Sequence, residues 1–158
     1  MWRDTMRMGM PTISMKCIVD ASVLLPLLCE GHPRGRAAYS WFDSRGPGSV
    51  GWVLAVRVSV LRILSNERLM GDSVLLPEEA LGAWAALARD ERMVEVSQVP
   101  PTLELYLKSN VAGRRASPKL WIDAWLASLA ESLGHEMVTC DRDFARFELS
   151  ALHVIEEA

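Results

Sequence analysis

The stretch 118-PKLWIDAWLASLAESLGHEMVTC-140 decides the fold class of this 158-residue chain. Its apolar side chains first recur at helical spacing, Gly134 then ends the helix, and a short apolar run follows at 136–140. A helix of this kind must bury its apolar face, and the strand that follows it offers a partner. The stretch therefore predicts a helix packed on a sheet, which is the repeating unit of an α/β domain.

The same alternation of strands and helices extends along the rest of the chain. It predicts a mainly parallel sheet covered by helices, within a single domain at 15–158. Pro26 is expected in the first turn of its helix, and Ser117 and Pro118 are expected to cap and open the last one. Residues 1–14 are interpreted as a flexible arm or as residues upstream of a natural start at Met15. Strands are predicted at 16–20, 49–53, 93–96, 136–140 and 152–155, and helices at 22–29, 34–44, 54–66, 77–90, 101–111 and 118–133.

The composition limits the classes of function. Half of the residues are apolar, 23% are charged and the net charge is −3, which argues against a disordered chain and against non-specific coating of nucleic acid. Cys17, Cys29 and Cys140 match no zinc-binding spacing, and we expect them to be reduced thiols. Because no apolar run is long enough for a bilayer and 1–14 lacks the apolar core of a signal peptide, we expect a cytoplasmic protein with no membrane partner.

Acidic residues follow two of the predicted strands. Asp20 ends the first strand, Asp141 ends the fourth, and Asp123 lies in the first turns of the helix between them. Ligand sites of parallel sheets lie at the carboxyl ends of the strands, so these side chains converge if strands one and four are neighbours. Crowded carboxylates repel one another unless a cation lies between them, and oxygen ligands suit Mg²⁺ or Mn²⁺.

Each acid also has a simpler explanation when it is taken alone. Asp20 could cap the helix that follows it, and Asp123 could face solvent near a helix N-terminus. Asp141 and Asp143 could form an ordinary Asx turn. The residues alone therefore predict an α/β domain and leave the acid site open.

Four segments of the sequence form one recurring pattern: 15-MKCIVDAS-22, 61-LRILSN-66, 118-PKLWIDAWLASLA-130 and 138-VTCDRDFARF-147. Together they resemble the PIN domain family, specifically the VapC toxins of bacterial toxin–antitoxin pairs. They occur in the order and at the spacing of that family, from about Met15 to the end of the chain. The resemblance implies a three-layer α/β/α fold and a ribonuclease, an endonuclease that depends on Mg²⁺ or Mn²⁺ and hydrolyses RNA phosphodiester bonds.

The resemblance also assigns roles to single residues. Asp20, Asp123 and Asp141 match the acids that bind the metal, and Asp143 joins them as a catalytic acid. Ser22 and Thr139 match hydroxyl positions beside the site; their alternative roles are capping and turn bonding.

One position departs from the family pattern. PIN nucleases usually carry a glutamate in the third helix before the arginine that matches Arg62, whereas 54–66 contains no acid and Ser59 stands three residues before Arg62. This departure leaves open a second hypothesis, a catalytically degenerate PIN module that binds RNA or a protein partner without cleaving. A receiver-like signalling domain is disfavoured, because it needs a lysine near the last strand and no lysine follows Lys119.

An acidic protein needs local positive charge to hold RNA. The candidates are Arg62, Arg114, Arg115 and Lys119. Trp52, Trp121 and Trp125 could stack on bases, although helical spacing makes Trp121 and Trp125 more typical of a core.

The resemblance further implies protein partners. They are a cognate VapB-like antitoxin, whose tail enters the acid groove, and a second copy of the chain in a homodimer. Leu54, Val58, Leu61 and Ile63 form an apolar stripe that could serve a dimer, but core packing is the default expectation.

Overall fold

The computed structural model describes residues 16–157, so the arm predicted at 1–14 lies outside the described residues. Strands and helices alternate in the predicted order. The strands are β1 (Cys17–Val19), β2 (Val50–Trp52), β3 (Met93–Glu95), β4 (Glu136–Thr139) and β5 (Leu152–Val154). The helices are α1 (Ala21–Leu28), α2 (Gly35–Asp43), α3 (Leu54–Leu64), α4 (Glu67–Met70), α5 (Pro77–Ala88), α6 (Leu103–Val111) and α7 (Leu120–Leu133), with short 3₁₀ helices at Gly71–Ser73 and Arg142–Arg146.

The five strands form one sheet in the order β3-β2-β1-β4-β5, and every neighbouring pair is parallel. β1 therefore occupies the centre, and all three of its residues are fully buried. β4 lies directly beside it, with Cys17 opposite Glu136 and Val19 opposite Val138. This neighbourhood fulfils the condition under which the acids of β1 and β4 meet.

Helices cover both faces of the sheet, as the predicted sandwich requires. α7 packs on β1 and β4 and pairs with α6, whereas α1 packs on the same two strands and contacts α2, α3 and α5. Because α1 and α7 share these strands but pack within different groups of helices, they lie on opposite faces. The prediction of an α/β/α architecture with a parallel sheet is confirmed.

Ser117, Pro118 and Pro26 stand at other positions relative to their helices than predicted. α7 begins at Leu120 rather than at Pro118, and Ser117 provides no side-chain cap; its carbonyl oxygen instead accepts a bond from the Leu120 N–H at 3.2 Å. Residues 118–119 form a turn that leads into the helix. Pro118, whose fixed backbone angle suits the first turn of a helix, is also compatible with this preceding turn. Pro26 lies inside α1 rather than in its first turn. Pro26 cannot donate a backbone hydrogen bond, but the helix ends soon after it, at Leu28. The missing bond therefore affects only the last turn of the helix.

The apolar stripe of α3 is only partly a core stripe, since Leu61 packs against the core whereas Leu54 and Val58 do not. Val56, Val60 and Leu64 are buried at four-residue intervals, which places Leu54 and Val58 on the opposite side of the helix. Leu54 is 61% exposed and Val58 is 55% exposed. The default expectation of core packing is therefore wrong for these two residues.

Two expectations about thiols and membranes touch the described part of the chain. Cys17, Cys29 and Cys140 are free thiols. Across residues 16–157, no helix has the length and apolar character needed to cross a bilayer.

Candidate active site

The candidate site lies at the carboxyl edge of the two central strands. β1 ends at Val19 and β4 ends at Thr139, so the parallel pairing delivers Asp20 and Asp141 to the same edge. The first turn of α7 brings Asp123 to this edge as well, because Lys119 lies within 4 Å of both Asp123 and Asp141. The structure thus brings the three acids singled out in the sequence together.

Asp20 is held by hydroxyl groups rather than by the helix it precedes. Its side chain makes no capping hydrogen bond to α1, so the simpler explanation of Asp20 as a helix cap does not apply. Ser22 Oγ donates to Asp20 Oδ1 at 2.5 Å, and Thr139 Oγ1 donates to Asp20 Oδ2 at 2.8 Å. Both carboxylate oxygens are therefore oriented by neutral donors from two different elements.

The same two hydroxyls fix the end of β4. Ser22 Oγ accepts the backbone N–H of Cys140 at 2.9 Å, and Thr139 Oγ1 accepts the backbone N–H of Asp141 at 2.9 Å. The two hydroxyl oxygens lie 3.3 Å apart. A continuous chain of hydrogen bonds therefore links Asp20 to the backbone that carries Asp141, which sets the relative position of the two acids.

Burial and like charges shape the electrostatics of Asp20. The pKa of Asp20 is raised to about 6, and burial is the largest cause. The hydrogen bonds from Ser22 and Thr139 act to lower this pKa, whereas the nearby charges of Asp123 and Asp141 act to raise it. The ionised carboxylate is therefore costly where it stands. The charges of Asp123 and Asp141 repel the ionised Asp20, and a site with such repulsion favours an added cation.

Asp123 is buried, which excludes the simpler explanation of a solvent-facing helix residue. It is 4% exposed, and Arg146 Nη2 donates to its Oδ2 at 3.2 Å, while Lys119 Nζ lies 3.8 Å from the same oxygen. Burial raises the pKa of Asp123, whereas Lys119 and Arg146 lower it and the charges of Asp141 and Asp143 raise it.

Asp141 combines a turn with a contact in the site. Its Oδ1 accepts the backbone N–H of Asp143 at 2.9 Å, as an Asx turn requires, while its Oδ2 accepts a hydrogen bond from Lys119 Nζ. Burial raises its pKa, but the bonds from Lys119 and Asp143 outweigh burial, so the pKa of Asp141 lies below its usual value. Asp141 therefore forms the Asx turn and also belongs to the acid cluster. Asp143 itself is exposed at the rim.

Two cationic side chains enter the acid cluster from the described chain itself. Lys119 was singled out in the sequence as an RNA-binding residue, whereas Arg146 was missed. Arg146 follows Asp143 by three residues in a 3₁₀ helix, so it lies on the same side of that turn, and its guanidinium stacks 4.8 Å from the centre of the Phe147 ring. The pattern 143-DFARF-147 contained this spacing, but the position of Asp123 beside it depends on tertiary packing.

The remaining RNA-binding candidates have different environments. Arg114 is engaged inside the protein: it donates to the carbonyl oxygens of Asn110 and Arg146 and stacks over Phe147. Arg62 and Arg115 are exposed and have no salt bridge to another residue within 16–157. Arg62 and Arg115 are therefore available to a ligand, whereas Arg114 already contacts the backbone of Asn110 and Arg146.

The three tryptophans also separate. Trp52 is buried and packs edge-on against Trp84 with ring centres 4.9 Å apart, so it cannot stack on a base. Trp125 is half-buried, as expected for the core side of α7. Trp121 is 62% exposed, against the expectation of core packing, because it lies on the solvent side of the first turn of α7, next to Lys119.

The donor atoms of the cluster suit a hard cation, although the side chains do not enclose one as they stand. Within residues 16–157, no group of three or more His, Cys, Asp or Glu side chains is arranged to hold a metal ion. The charges of Asp123 and Asp141 nevertheless raise the pKa of Asp20, and the charge of Asp141 raises the pKa of Asp123, so the three carboxylates lie close together. Lys119 and Arg146 neutralise part of this charge, and oxygen-only donors are those that Mg²⁺ and Mn²⁺ select.

α3 supplies no acid to the cluster. Ser59, which stands where the glutamate was expected, donates its hydroxyl to the carbonyl oxygen of Ala55 at 2.9 Å within the helix. Glu67 lies beyond the end of α3, in the first turn of α4. The structure therefore agrees with the sequence that α3 lacks the expected glutamate and carries Ser59 at that position.

Comparison of the sequence with known families finds a matching family model and a curated relative. A family model described as the PIN domain matches residues 17–149. Ribonuclease VapC41 of Mycobacterium tuberculosis is 33% identical over 134 residues, which cover 82% of this chain and 92% of that relative.

Comparison with solved structures identifies the same fold. VapC20 of Mycobacterium tuberculosis, a toxin that cleaves the sarcin–ricin loop, aligns with a TM-score of 0.56 and 21% identity over 82% of this chain and 93% of that one. VapBC2 from Rickettsia felis, solved with a DNA fragment from its promoter, aligns with a TM-score of 0.62 and 11% identity over 89% and 98%. VapBC-1 from nontypeable Haemophilus influenzae aligns with a TM-score of 0.62 and 15% identity over 89% and 98%.

Proposed function

The chain belongs to the PIN domain family and, within it, to the VapC group, and from this premise we propose that it is a metal-dependent ribonuclease, the toxin of a toxin–antitoxin pair. The observation that carries the proposal is the meeting of Asp20, Asp123 and Asp141 at one edge of the sheet, where the charges of Asp123 and Asp141 raise the pKa of Asp20 and the charge of Asp141 raises the pKa of Asp123. The curated relative with 33% identity is a ribonuclease, which supports the same reaction. None of the relatives described above supports the alternative of an inactive binding module.

The metal would be Mg²⁺ or Mn²⁺, held by Asp20, Asp123 and Asp141. Such a cation, when bound, lowers the pKa of a water molecule and polarises a phosphate oxygen. Ser22 and Thr139 keep both oxygens of Asp20 in place. Asp141 or Asp143 would accept the proton of the attacking water, and attack by water on the phosphodiester would leave a 5′-phosphate.

Lys119 and Arg146 would exchange partners when RNA and the metal bind. In the structure they contact Asp123 and Asp141. Once a cation neutralises these carboxylates, the two side chains become free to pair with phosphate oxygens of the RNA. Arg62 and Arg115 would add exposed positive charge, Arg114 would act by holding Arg146, and Trp121 would stack on a base.

The proposed partners follow from the family. A VapB-like antitoxin would place its tail in the acid groove, and the solved relatives include complexes described as VapBC. A homodimer would use the exposed face of α3, where Leu54 and Val58 are accessible. Both RNA and a reducing environment for three free thiols point to the cytoplasm.

A cleavage assay tests the reaction. The purified protein is incubated with structured and single-stranded RNA at several concentrations of Mg²⁺ and Mn²⁺. Asp20→Asn and Asp123→Asn should each lower the cleavage rate by about a hundredfold or more, since each removes a charged metal ligand. Calorimetric titration with Mn²⁺ should show the same loss in metal affinity, independently of activity.

Asp72→Asn is the matched control. Asp72 is an exposed acid in the 3₁₀ helix Gly71–Ser73, outside the site, so this variant should cleave and bind Mn²⁺ like the unchanged protein. RNA binding without cleavage in every metal would contradict the proposal and favour the inactive module. Cleavage that survives in Asp20→Asn would contradict the assigned site.

A further inference from the structure

A second polar cavity adjoins the acid cluster. It has a volume of about 600 Å³, and its lining includes Ser22 and Asp141 on the side of the acids and Arg34, Arg142 and Glu156 on the other side. Ser22 donates to Asp20, so one wall of the cavity is part of the active-site hydrogen-bond network. A strand of RNA that passes the acids would reach this cavity next.

Arg34 and Arg142 bring two guanidinium groups to the cavity from separate elements. Arg34 precedes α2, and Arg142 opens the 3₁₀ helix that follows β4. The Cys140 thiol lies between this charge and the acid cluster: burial raises its pKa, the charge of Asp20 raises it and the charge of Arg34 lowers it. Positive charge concentrated here in a protein of net charge −3 suits an anionic ligand.

Two consecutive glutamates after β5 form ion pairs with these arginines. Arg142 Nη2 lies 2.9 Å from Glu156 Oε1, and Arg34 Nη2 lies 3.6 Å from Glu157 Oε1. Each glutamate extends from the short segment that follows Val154, which also lines the cavity. Carboxylates therefore stand where phosphate oxygens of a ligand would bind.

Both pairs are weak enough to be exchanged. The side chains of Arg142 and Glu156 are largely exposed, and exposed ion pairs contribute little to stability. The separation of Arg34 Nη2 and Glu157 Oε1 is too long for a hydrogen bond. A phosphate, with several acceptor oxygens, would satisfy these guanidinium groups better than the glutamates do.

We propose that Arg34 and Arg142 form a subsite for a backbone phosphate of the RNA strand beside the acid cluster, and that Glu156 and Glu157 occupy this subsite until RNA displaces them. The inference rests on the proposed function, since it names where that substrate extends beyond the reacting bond. It makes the segment after β5 a competitor of the substrate.

Binding of labelled single-stranded RNA, followed by fluorescence anisotropy over a series of salt concentrations, tests the subsite. All variants are made in the Asp20→Asn protein, so that the RNA stays intact. Removing both arginines with Arg34→Gln and Arg142→Gln should weaken binding and make the slope of log affinity against log salt less steep by about 0.7, since the subsite holds one phosphate and each phosphate contact of a single strand contributes about 0.7. A merely structural role would not change this slope.

The glutamates give an opposite prediction. Replacing Glu156 and Glu157 together by glutamine should tighten RNA binding by roughly threefold, because the competitor loses its charge. Arg89→Gln is the matched control, because Arg89 is an exposed arginine at the end of α5, which leads to the amino end of β3 on the opposite edge of the sheet. It should leave both the affinity and the slope unchanged.

The outcomes separate this inference from the proposed function. An unchanged salt slope in the folded arginine variant, as judged by circular dichroism, would overturn the subsite even if the intact protein cleaves RNA. If the arginine variant does not fold, unchanged affinity in the glutamate variant overturns the proposal. If the unchanged protein does not cleave RNA but the arginine variant still makes the salt slope less steep, the subsite is supported and the proposed nuclease activity is contradicted. Equal binding of inorganic phosphate and RNA at the same ionic strength would overturn the assignment to an RNA strand.

Discussion

At the scale of single residues, Asp20 carries the strongest energetic consequence. Its pKa is raised to about 6, mainly by burial, although two hydroxyls stabilise its ionised form. In the unfolded chain the group titrates near 4. Between roughly pH 4 and 6 the folded protein therefore binds more protons at Asp20 than the unfolded chain does, and the free energy of unfolding falls as the pH rises.

This linkage predicts that Asp20→Asn stabilises the metal-free protein. At pH 7 without divalent ions, the variant should gain about 1–3 kcal/mol in the free energy of unfolding, because the buried charge and its repulsion from Asp123 and Asp141 disappear. The gain should shrink as the pH falls towards 4. Urea unfolding across this pH range measures both effects.

The exposed Asp72 again gives the control, since Asp72→Asn should leave the pH dependence unchanged. Addition of Mn²⁺ should reverse the order, by stabilising the unchanged protein more than Asp20→Asn. A variant that is less stable than the unchanged protein at pH 7 without metal would contradict this account of Asp20.

The residues at the site could be predicted only in part. Asp20 and Asp141 could be singled out because they directly follow apolar strands, and their local position in the chain determines where they lie. Arg146, Arg34 and Arg142 could not, because each reaches the site through packing between elements distant in sequence. No local pattern encodes such contacts.

At the scale of elements, β2 depends on a glycine. A Cβ atom at Gly51 would lie 2.6 Å from the backbone carbonyl oxygen of Cys17 in the neighbouring β1 and close to the side chains of Ile18 and Val96. The carbonyl oxygen is part of the central strand and cannot move aside, so the close approach of β1 and β2 requires glycine here.

Gly51→Ala should therefore destabilise the fold by about 1–3 kcal/mol, as expected for an overpacked core. Gly82→Ala is the matched control: Gly82 lies in α5, where a Cβ would meet nothing within 4 Å, and alanine favours a helix over glycine by about 1 kcal/mol. Urea denaturation should show the two substitutions shifting stability in opposite directions. Equal stability of Gly51→Ala and the unchanged protein would show that β1 and β2 can separate.

Element type was easier to predict than element boundaries. The alternation of strands and helices follows from periodicity, which every residue of a segment reinforces. The start of α7 and the place of Pro26 in α1 depended on one or two residues, whose preferences for caps and first turns were overridden by the surrounding turn.

At the scale of the whole molecule, the exposed apolar side of α3 suggests how two copies associate. Leu54 and Val58 stand one turn apart, and both are mainly exposed. If they form the proposed homodimer contact, Leu54→Asp should shift the protein from dimer to monomer in sedimentation experiments without changing its circular dichroism, since a buried unpaired charge opposes association.

Leu105→Asp provides the comparison, because Leu105 is an equally exposed leucine on α6. It should leave the sedimentation coefficient unchanged. Loss of the dimer in Leu105→Asp, but not in Leu54→Asp, would place the contact on α6. A monomer in the unchanged protein at all concentrations would remove the homodimer.

The global topology could be predicted only conditionally. The alternating pattern indicated a parallel sheet, and the meeting of the acids was predicted on the condition that strands one and four are neighbours. The order β3-β2-β1-β4-β5 meets that condition. Strand order depends on how the helices between the strands pack, so the sequence pattern alone did not determine it.

The central place of β1 has a consequence during translation. Asp20 is synthesised before β2 and β3, whereas its neighbour β4 and Asp141 follow more than a hundred residues after it. A nascent chain that ends after β3 has three of the five strands and no assembled acid cluster. A transcript truncated before codon 141 would therefore produce a fragment that lacks Asp141 and cannot assemble the acid cluster.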